Sequence, residues 1–317
     1  MENETENQIT GQQQSFFKKD YFLPVSILAA AIILAGSWLY TNNPRDVQDD
    51  SQDVEDTSDL QGVSASVLEG EVLPPDGVIL PVRWNDLGKK LVDAGAIDAD
   101  QFKAIYEDRS AFTDEYESLL LGENNGQLKI TNENSGYLLN LLWAPGLANK
   151  NPILDTGEMT NPAYGGAQNF ASTGGWTLAK GNAMDHYSAH QLFSLTPEQQ
   201  DLVDKVSNGI YRPCCGNSTH FPDCNHGMAM LGLLELMASQ GVSEEDMWKA
   251  ALAVNSYWFP DTYLTIATYM NNQGVDWQNI NPQEVLGADY SSASGYKRVF
   301  SQVTPPERQG GGGGCGV

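Results

Sequence analysis

Histidine and cysteine are scarce in this chain, with four of each among 317 residues. Basic residues are scarce too: 17 Lys and Arg stand against 41 Asp and Glu, giving a formal net charge of −24. A surface that acidic repels nucleic acid and anionic lipid head groups, so neither is expected as a partner of the main domain. There is no heptad repeat, no Gly-rich phosphate loop and no G-x-S-x-G elbow. Coiled coils, P-loop nucleotide enzymes and α/β-hydrolases are thereby set aside. Strand signals are few; VILPV (78–82) and QLKIT (127–131) are the best of them.

Long apolar runs are limited to FLPVSILAAAIILAGSWLY (22–40), which carries no charge. At about 1.5 Å per residue such a run spans close to one hydrocarbon core. Lys18 and Lys19 precede it, and the segment after it is acidic with a single Arg45. The positive-inside rule then places the N-terminus in the cytoplasm and the bulk of the chain outside. The polar leader and the apolar run are both long for a cleaved signal peptide, so an uncleaved anchor is expected. The organisation that follows is a cytoplasmic tail (1–20), a transmembrane anchor helix (21–40), a disordered acidic linker (41–75), a mainly helical extracytoplasmic domain (76–305) and a flexible Gly-rich tail (306–317).

Within the domain the apolar spacing is helical. WNDLGKKLVDAGAIDADQFKAIYE (84–107) reads as two short helices parted by Gly95. TNEN at 131–134 opens a helix whose apolar run is expected to stop at Pro145-Gly146. Asn182 is positioned to cap AMDHYSAHQLF, and Thr196-Pro197-Glu198-Gln199 is a capping box with proline at the first helical position. Ser243 and Asn281 start two more. Residues 149–181 form a long Gly/Asn-rich stretch without periodicity, the kind of loop that often carries function. The fold class expected is mainly α.

Scarce residues should be scattered, yet YRPCCGNSTHFPDCNHGMAM (211–230) holds three of the four cysteines and two of the four histidines. Cys214, Cys215, His220, Cys224 and His226 form C-C-x4-H-x3-C-x-H. That spacing matches no zinc finger, zinc ribbon, haem-attachment or ferredoxin pattern, but thiolate and imidazole together suit copper(I) or zinc. Pro213, Gly216 and Pro222 keep the loop out of regular structure. From about Asn225 the residues Met228, Leu231, Leu234 and Met237 recur at helical spacing. This puts Cys224 at a helix N-terminus, where a thiolate is favoured. Met228 and Met230 are two apart and do not share a helical face, so paired thioether ligation is not expected. His186 and His190, four apart, would lie on one helical face and add two imidazoles if their segment met the loop. Glu235 and Asp185 stand near these segments in sequence only.

Two other chemistries fit the same thiols. Cys215 and Cys224 could close a structural disulfide, with Cys315 making the count even; the domain would then be a stapled cell-surface interaction module. Alternatively Cys224 could be the nucleophile of a thiol–disulfide enzyme, with Cys215 or Cys315 as resolver. Against that stands the lack of a C-x-x-C and of a βαβ pattern.

Over about forty residues, YRPCC…H…DCNHG followed by a long helix and ASQGVSEEDMWKAAL resembles exported bacterial proteins bearing the PCYCGC motif. The alternating cysteines of that motif are replaced here by Pro213-Cys214-Cys215-Gly216, and the downstream cysteine pair is missing. The resemblance implies an envelope protein with a metal-binding loop at Pro213, Cys214, Cys215, Asp223 and Cys224. It implies no activity. A copper- or zinc-binding protein held at the outer face of a membrane, exchanging metal or thiols with an envelope partner, is the expectation carried forward.

Overall fold

The computed structural model describes residues 66–108 and 111–304, which belong to one compact unit, Asp56–Val317. The expected cytoplasmic tail, anchor helix and Gly-rich tail lie outside the described residues. Among the described residues no helix is long and apolar enough to cross a membrane. These residues are mainly helical, as expected, with 58% of them helical in 13 helices.

The acidic linker gives way before Pro75. Residues 66–72 form a helix, α1, and Val72 and Leu73 are each only 3% exposed in the core. Leu68, Val72 and Leu73 supply the apolar surface that the stretch upstream lacks, and burial of that surface offsets the entropy of ordering. Tyr257 Oη donates to the Pro74 carbonyl at 2.7 Å and fixes the entry. The two strands then pair antiparallel: β1 (Val78–Asn85) and β2 (Asn125–Ile130) run from Val78 opposite Ile130 to Asn85 opposite Asn125. Leu80, Val82 and Trp84 alternate inward with the two-residue period of a strand.

Helices α2 (Leu87–Asp93) and α3 (Ala99–Glu107) flank Gly95, whose φ of +78° makes the expected turn. They are followed by α4 (Asp114–Leu121), α5 (Ser135–Ala148) and α6 (Pro152–Thr156). Thr196 and Gln199 form the capping box of α7 (Pro197–Gly209). Next come α8 (Asn225–Ser239), α9 (Glu244–Trp258) and α10 (Pro260–Asn272). Three short helices close the order: α11 (Pro282–Val285), α12 (Ala288–Ser291) and α13 (Ala293–Phe300).

Helix α5 does not stop at Pro145-Gly146; it runs through both to Ala148. Proline removes one intrahelical hydrogen bond, but α5 is buried from Tyr137 to Ala148, and packing sustains it where propensity would not. Its partner is α8, also buried along almost its whole length. The two cross backbone to backbone. A Cβ added to Gly146 would lie 2.0 Å from the Met228 carbonyl oxygen, and one on Gly232 would lie 2.5 Å from that of Leu142. This close crossing places the N-terminal end of α8, and with it Cys224 and His226. Met228 and Met230 are both buried core residues of α8.

The long 149–181 segment is ordered as short 3-10 turns at Glu158–Thr160, Pro162–Tyr164 and Ala167–Asn169. Its Tyr164 and Phe170 pack on Phe221, each with ring centroids 5.4 Å from it. The Ser172 amide donates to the Asp223 carbonyl at 3.3 Å. The segment thus lies against the cysteine loop.

Candidate metal centre

The loop between α7 and α8 is held from outside and from within. Outside, Tyr211 pairs with Ser218, the Thr219 amide donates to the Ile210 carbonyl at 2.8 Å, and the Ala293 amide donates to the Cys215 carbonyl at 2.9 Å. Within, Arg212 is 1% exposed and its guanidinium is the hub. Its Nε donates to Cys224 Sγ at 3.0 Å, Nη1 to the Asn217 carbonyl at 3.3 Å, and Nη2 to the Phe221 carbonyl at 3.1 Å. Nη2 also meets Asp223 Oδ1 at 2.6 Å, and Asn217 Nδ2 donates to Asp223 Oδ2 at 2.8 Å. A buried guanidinium is costly unless its charge and donors are answered, and here both are. Gly227, in the first turn of α8, makes the room: a Cβ there would sit 2.5 Å from Arg212 Cζ.

Three cysteines converge on this hub, all free. Cys214 Sγ lies 3.6 Å from Cys224 Sγ. Cys215 Sγ lies 3.8 Å from Asp223 Oδ1. Cys224 is the N-cap residue of α8 in extended conformation, and His226 follows two positions later. The His226 imidazole is 4% exposed, with its ring against Trp258 and Phe259 at centroid distances of 5.6 and 4.4 Å. Cys214, Cys224 and His226 therefore form a group able to hold a metal ion, their ligand atoms all within 4.8 Å of one another. A second such group, Cys215, Asp223 and Cys224, shares the Cys224 sulfur.

Protonation follows from the same contacts. The Cys224 pKa is driven well below the usual thiol value, first by the Cys214 and Cys215 thiols that donate to it, then by the Arg212 charge and His226, against desolvation. Cys214 is pushed up, because its thiol is held by Cys215 and Cys224 and is partly desolvated. For Cys215 the contact with Cys214 pulls downward, but contact with Cys224 and burial outweigh it and raise the pKa to about 11. One thiolate, at Cys224, is thus flanked by two thiols. Cys214 is exposed, Cys224 is partly exposed and His226 is buried, so the group opens to solvent on the Cys214 side.

The other expected ligands are placed elsewhere. His220 stands by α7, with Nε2 3.9 Å from Asp204 Oδ1 and its backbone amide on the Ser207 carbonyl, and belongs to neither group. His186 and His190 are not on a helix. Asn182 caps only a single 3-10 turn, Ala183–Asp185, and the chain then reverses with Ser188 at φ +51°. Short local turns win here because the Asn151 amide donates to Ser188 Oγ and the His190 backbone bridges Asn149. The two imidazoles do meet, His186 Nδ1 lying 2.9 Å from His190 Nε2. His186 Nε2 lies 3.0 Å from the Lys180 carbonyl, so Nε2 carries the hydrogen and Nδ1 accepts from His190. Both His186 nitrogens are then occupied, and neither histidine joins a metal-holding group. Glu235 is fully buried in α8 and accepts from Asn149 Nδ2 at 2.7 Å, away from the thiol chemistry.

Arg212, the hydrogen-bonding hub of the loop, is the residue that spacing did not single out. Its signal was a cation two positions before the cysteine pair in a chain with 17 Lys and Arg. No family model matches this chain, and neither does any curated protein or solved structure.

Proposed function

We propose that the chain is a metal-binding protein of the outer face of a membrane, holding copper(I) or zinc through Cys214, Cys224 and His226, with Cys215 as the fourth donor. The convergence of two sulfurs and one imidazole around a braced loop carries the proposal. The 3.6 Å separation of Cys214 and Cys224 sulfurs supports it quantitatively: the edge of a tetrahedron with Zn–S bonds of about 2.3 Å is about 3.8 Å. Arg212 would act on the metal through Cys224, its N–H···S bond orienting the sulfur and drawing charge from it as outer-shell donors do. The exposed Cys214 side gives an incoming ligand access, which suits transfer to an envelope partner better than permanent structural storage. Location rests on the uncharged 22–40 run and the charges flanking it.

Elemental analysis of the reduced full-length chain tests the site. About one copper or zinc per chain, lost in Cys224→Ser, is the expected result. A reduced chain that carries no metal and takes none up overturns it. An impermeant maleimide that labels Cys214 on intact cells is expected from the outward location.

A further inference from the structure

The cysteine loop also has the layout of a thiol exchange pair. Of the three sulfurs, Cys214 is the exposed one and Cys224 lies behind it at 3.6 Å, inside the Arg212 hub. Cys215 also touches Cys224, and its Sγ lies 3.9 Å from the Asn217 carbonyl and 3.8 Å from Asp223 Oδ1. We propose that Cys214 and Cys224 reduce small-molecule disulfides, Cys214 as attacking and Cys224 as resolving thiolate, and that closing their bond ejects the metal ion. Only the ejection rests on the metal proposal.

In the first step the Cys214 thiol passes its proton to the Cys224 thiolate 3.6 Å away, and Cys214 Sγ attacks one sulfur of the incoming disulfide. A Cys214–substrate S–S bond forms, the substrate's own S–S bond breaks, and one substrate thiolate leaves. In the second step Cys224 gives that proton to the released substrate thiolate, its Sγ attacks Cys214 Sγ, the internal S–S bond forms, and the second substrate thiolate leaves. Two electrons pass from the cysteine pair to the substrate, and no other oxidant is needed. A bound ion loses two sulfur donors at once and keeps only His226 and the more weakly placed Cys215.

The geometry makes this change local. Sulfurs 3.6 Å apart must close to about 2.05 Å. The exposed Cys214 side chain can cover that gap while the backbone stays fixed by the Tyr211–Ser218 pair, the Cys215–Ala293 hydrogen bond and the Arg212 contacts to 217 and 221. Direct joining of Cys214 to Cys215 would require the strained ring of adjacent cysteines. The position of Arg212 Nε against Cys224 also fixes which sulfur stays inside.

The test uses the full-length chain in a Cys315→Ser background, reduced, once zinc-loaded and once metal-free, with oxidised glutathione as the disulfide. Cleavage before Asp223 separates Cys224 from Cys214 and Cys215, so non-reducing mass mapping reads the link directly. Cys224→Ser is expected to accumulate the glutathione adduct on Cys214, and Cys214→Ser to form neither adduct nor link. In the loaded sample, zinc release measured with a chromogenic chelator is expected to follow link formation in time. A link that joins Cys215 instead, or a Cys224→Ser chain without the Cys214 adduct, overturns the exchange pair. Zinc that stays bound after the link has formed overturns the ejection. A chain that forms the link but never binds zinc refutes the metal site and leaves the exchange pair standing.

Discussion

Replacing Gly232 with alanine tests how the fold positions the centre. The added Cβ would lie 2.5 Å from the Leu142 carbonyl oxygen and 2.6 Å from the Gly146 nitrogen. A relaxed C···O contact needs about 3.3 Å, so α5 and α8 must separate by roughly 0.8 Å at the crossing. Backbone cannot rotate out of the way as a side chain can, which puts the overpacking cost near the upper end of its usual range, about 3 kcal/mol. Alanine's better helix propensity returns about 1 kcal/mol. The expected net loss is therefore about 2 kcal/mol, a fall in Tm of about 4–8 °C for a domain this size. Gly136→Ala, in the first turn of α5, is the internal control: its Cβ meets nothing within 4 Å, and the same propensity term should raise stability slightly. Gly146→Ala should also destabilise, and the double variant should cost less than the sum, because the first Cβ already opens the shared crossing. Urea unfolding of the four chains measures all of this. A Gly232→Ala protein as stable as Gly136→Ala would refute the close crossing and remove its role in placing Cys224 and His226.

Glu235 predicts a pH dependence: desolvation, against the Asn149 and Asn151 amides, holds its pKa well above 4.5, so the native state keeps a proton that the unfolded chain releases above that pH. Stability should be fullest below 4.5 and decline by up to about 1.4 kcal/mol per unit as pH rises toward the folded value, and Glu235→Gln should flatten that decline; parallel pH profiles in urea titrations would refute it. Metal binding should release about two protons, those of the Cys214 and Cys215 thiols, and proton release of about one by calorimetry in several buffers would drop Cys215 from the ligand set. Arg212→Met should cost about 3 kcal/mol, since it strips Asp223 of its buried partner. It should also weaken zinc about 10- to 100-fold in chelator competition, and Gly227→Ala, which pushes the guanidinium off Cys224, should weaken it in the same direction with every ligand present. Unchanged affinity in both would show that Arg212 braces the loop without tuning the metal.

Much of the helical framework was legible because it is written in local chemistry. Thr196, Ser243 and Asn281 each accept the expected cap hydrogen bond, and Gly95 takes positive φ. The failures occur where tertiary packing overrides local preference. Pro145-Gly146 looks like a stop, and in isolation it would be one; buried against α8, the glycine becomes the reason the helix continues. The sequence 183–193 suggested a helix through His186 and His190, but Ser188 and Asn149 offer hydrogen bonds that only the reversed chain can use. For the centre itself, composition and spacing reached Cys214, Cys215, Cys224 and His226, since scarce soft residues gathered on one loop are visible without coordinates. They could not separate His220 from these, because its displacement toward Asp204 depends on how α7 lies beside the loop.

Arg212 shows why the rest was hidden. A cation in sequence carries no mark of burial, and an acidic chain offers it dozens of surface partners. Only the fold reveals that this guanidinium is enclosed, that two carbonyls, one carboxylate and one sulfur exhaust its nearest acceptors, and that Gly227 leaves it room. The consequence is directional. Because Arg212 grips Cys224 and leaves Cys214 free, the sulfur pair is asymmetric before any metal or disulfide arrives. Lysine at this position could supply the charge but not the planar fork that reaches sulfur, carbonyl and carboxylate together. Arg212→Lys should therefore keep the fold better than Arg212→Met yet lose the preference for Cys214 as the attacking thiol. An adduct divided between Cys214 and Cys215 on exposure to oxidised glutathione is the expected mark of that loss, and an adduct still confined to Cys214 would show that exposure alone sets the order.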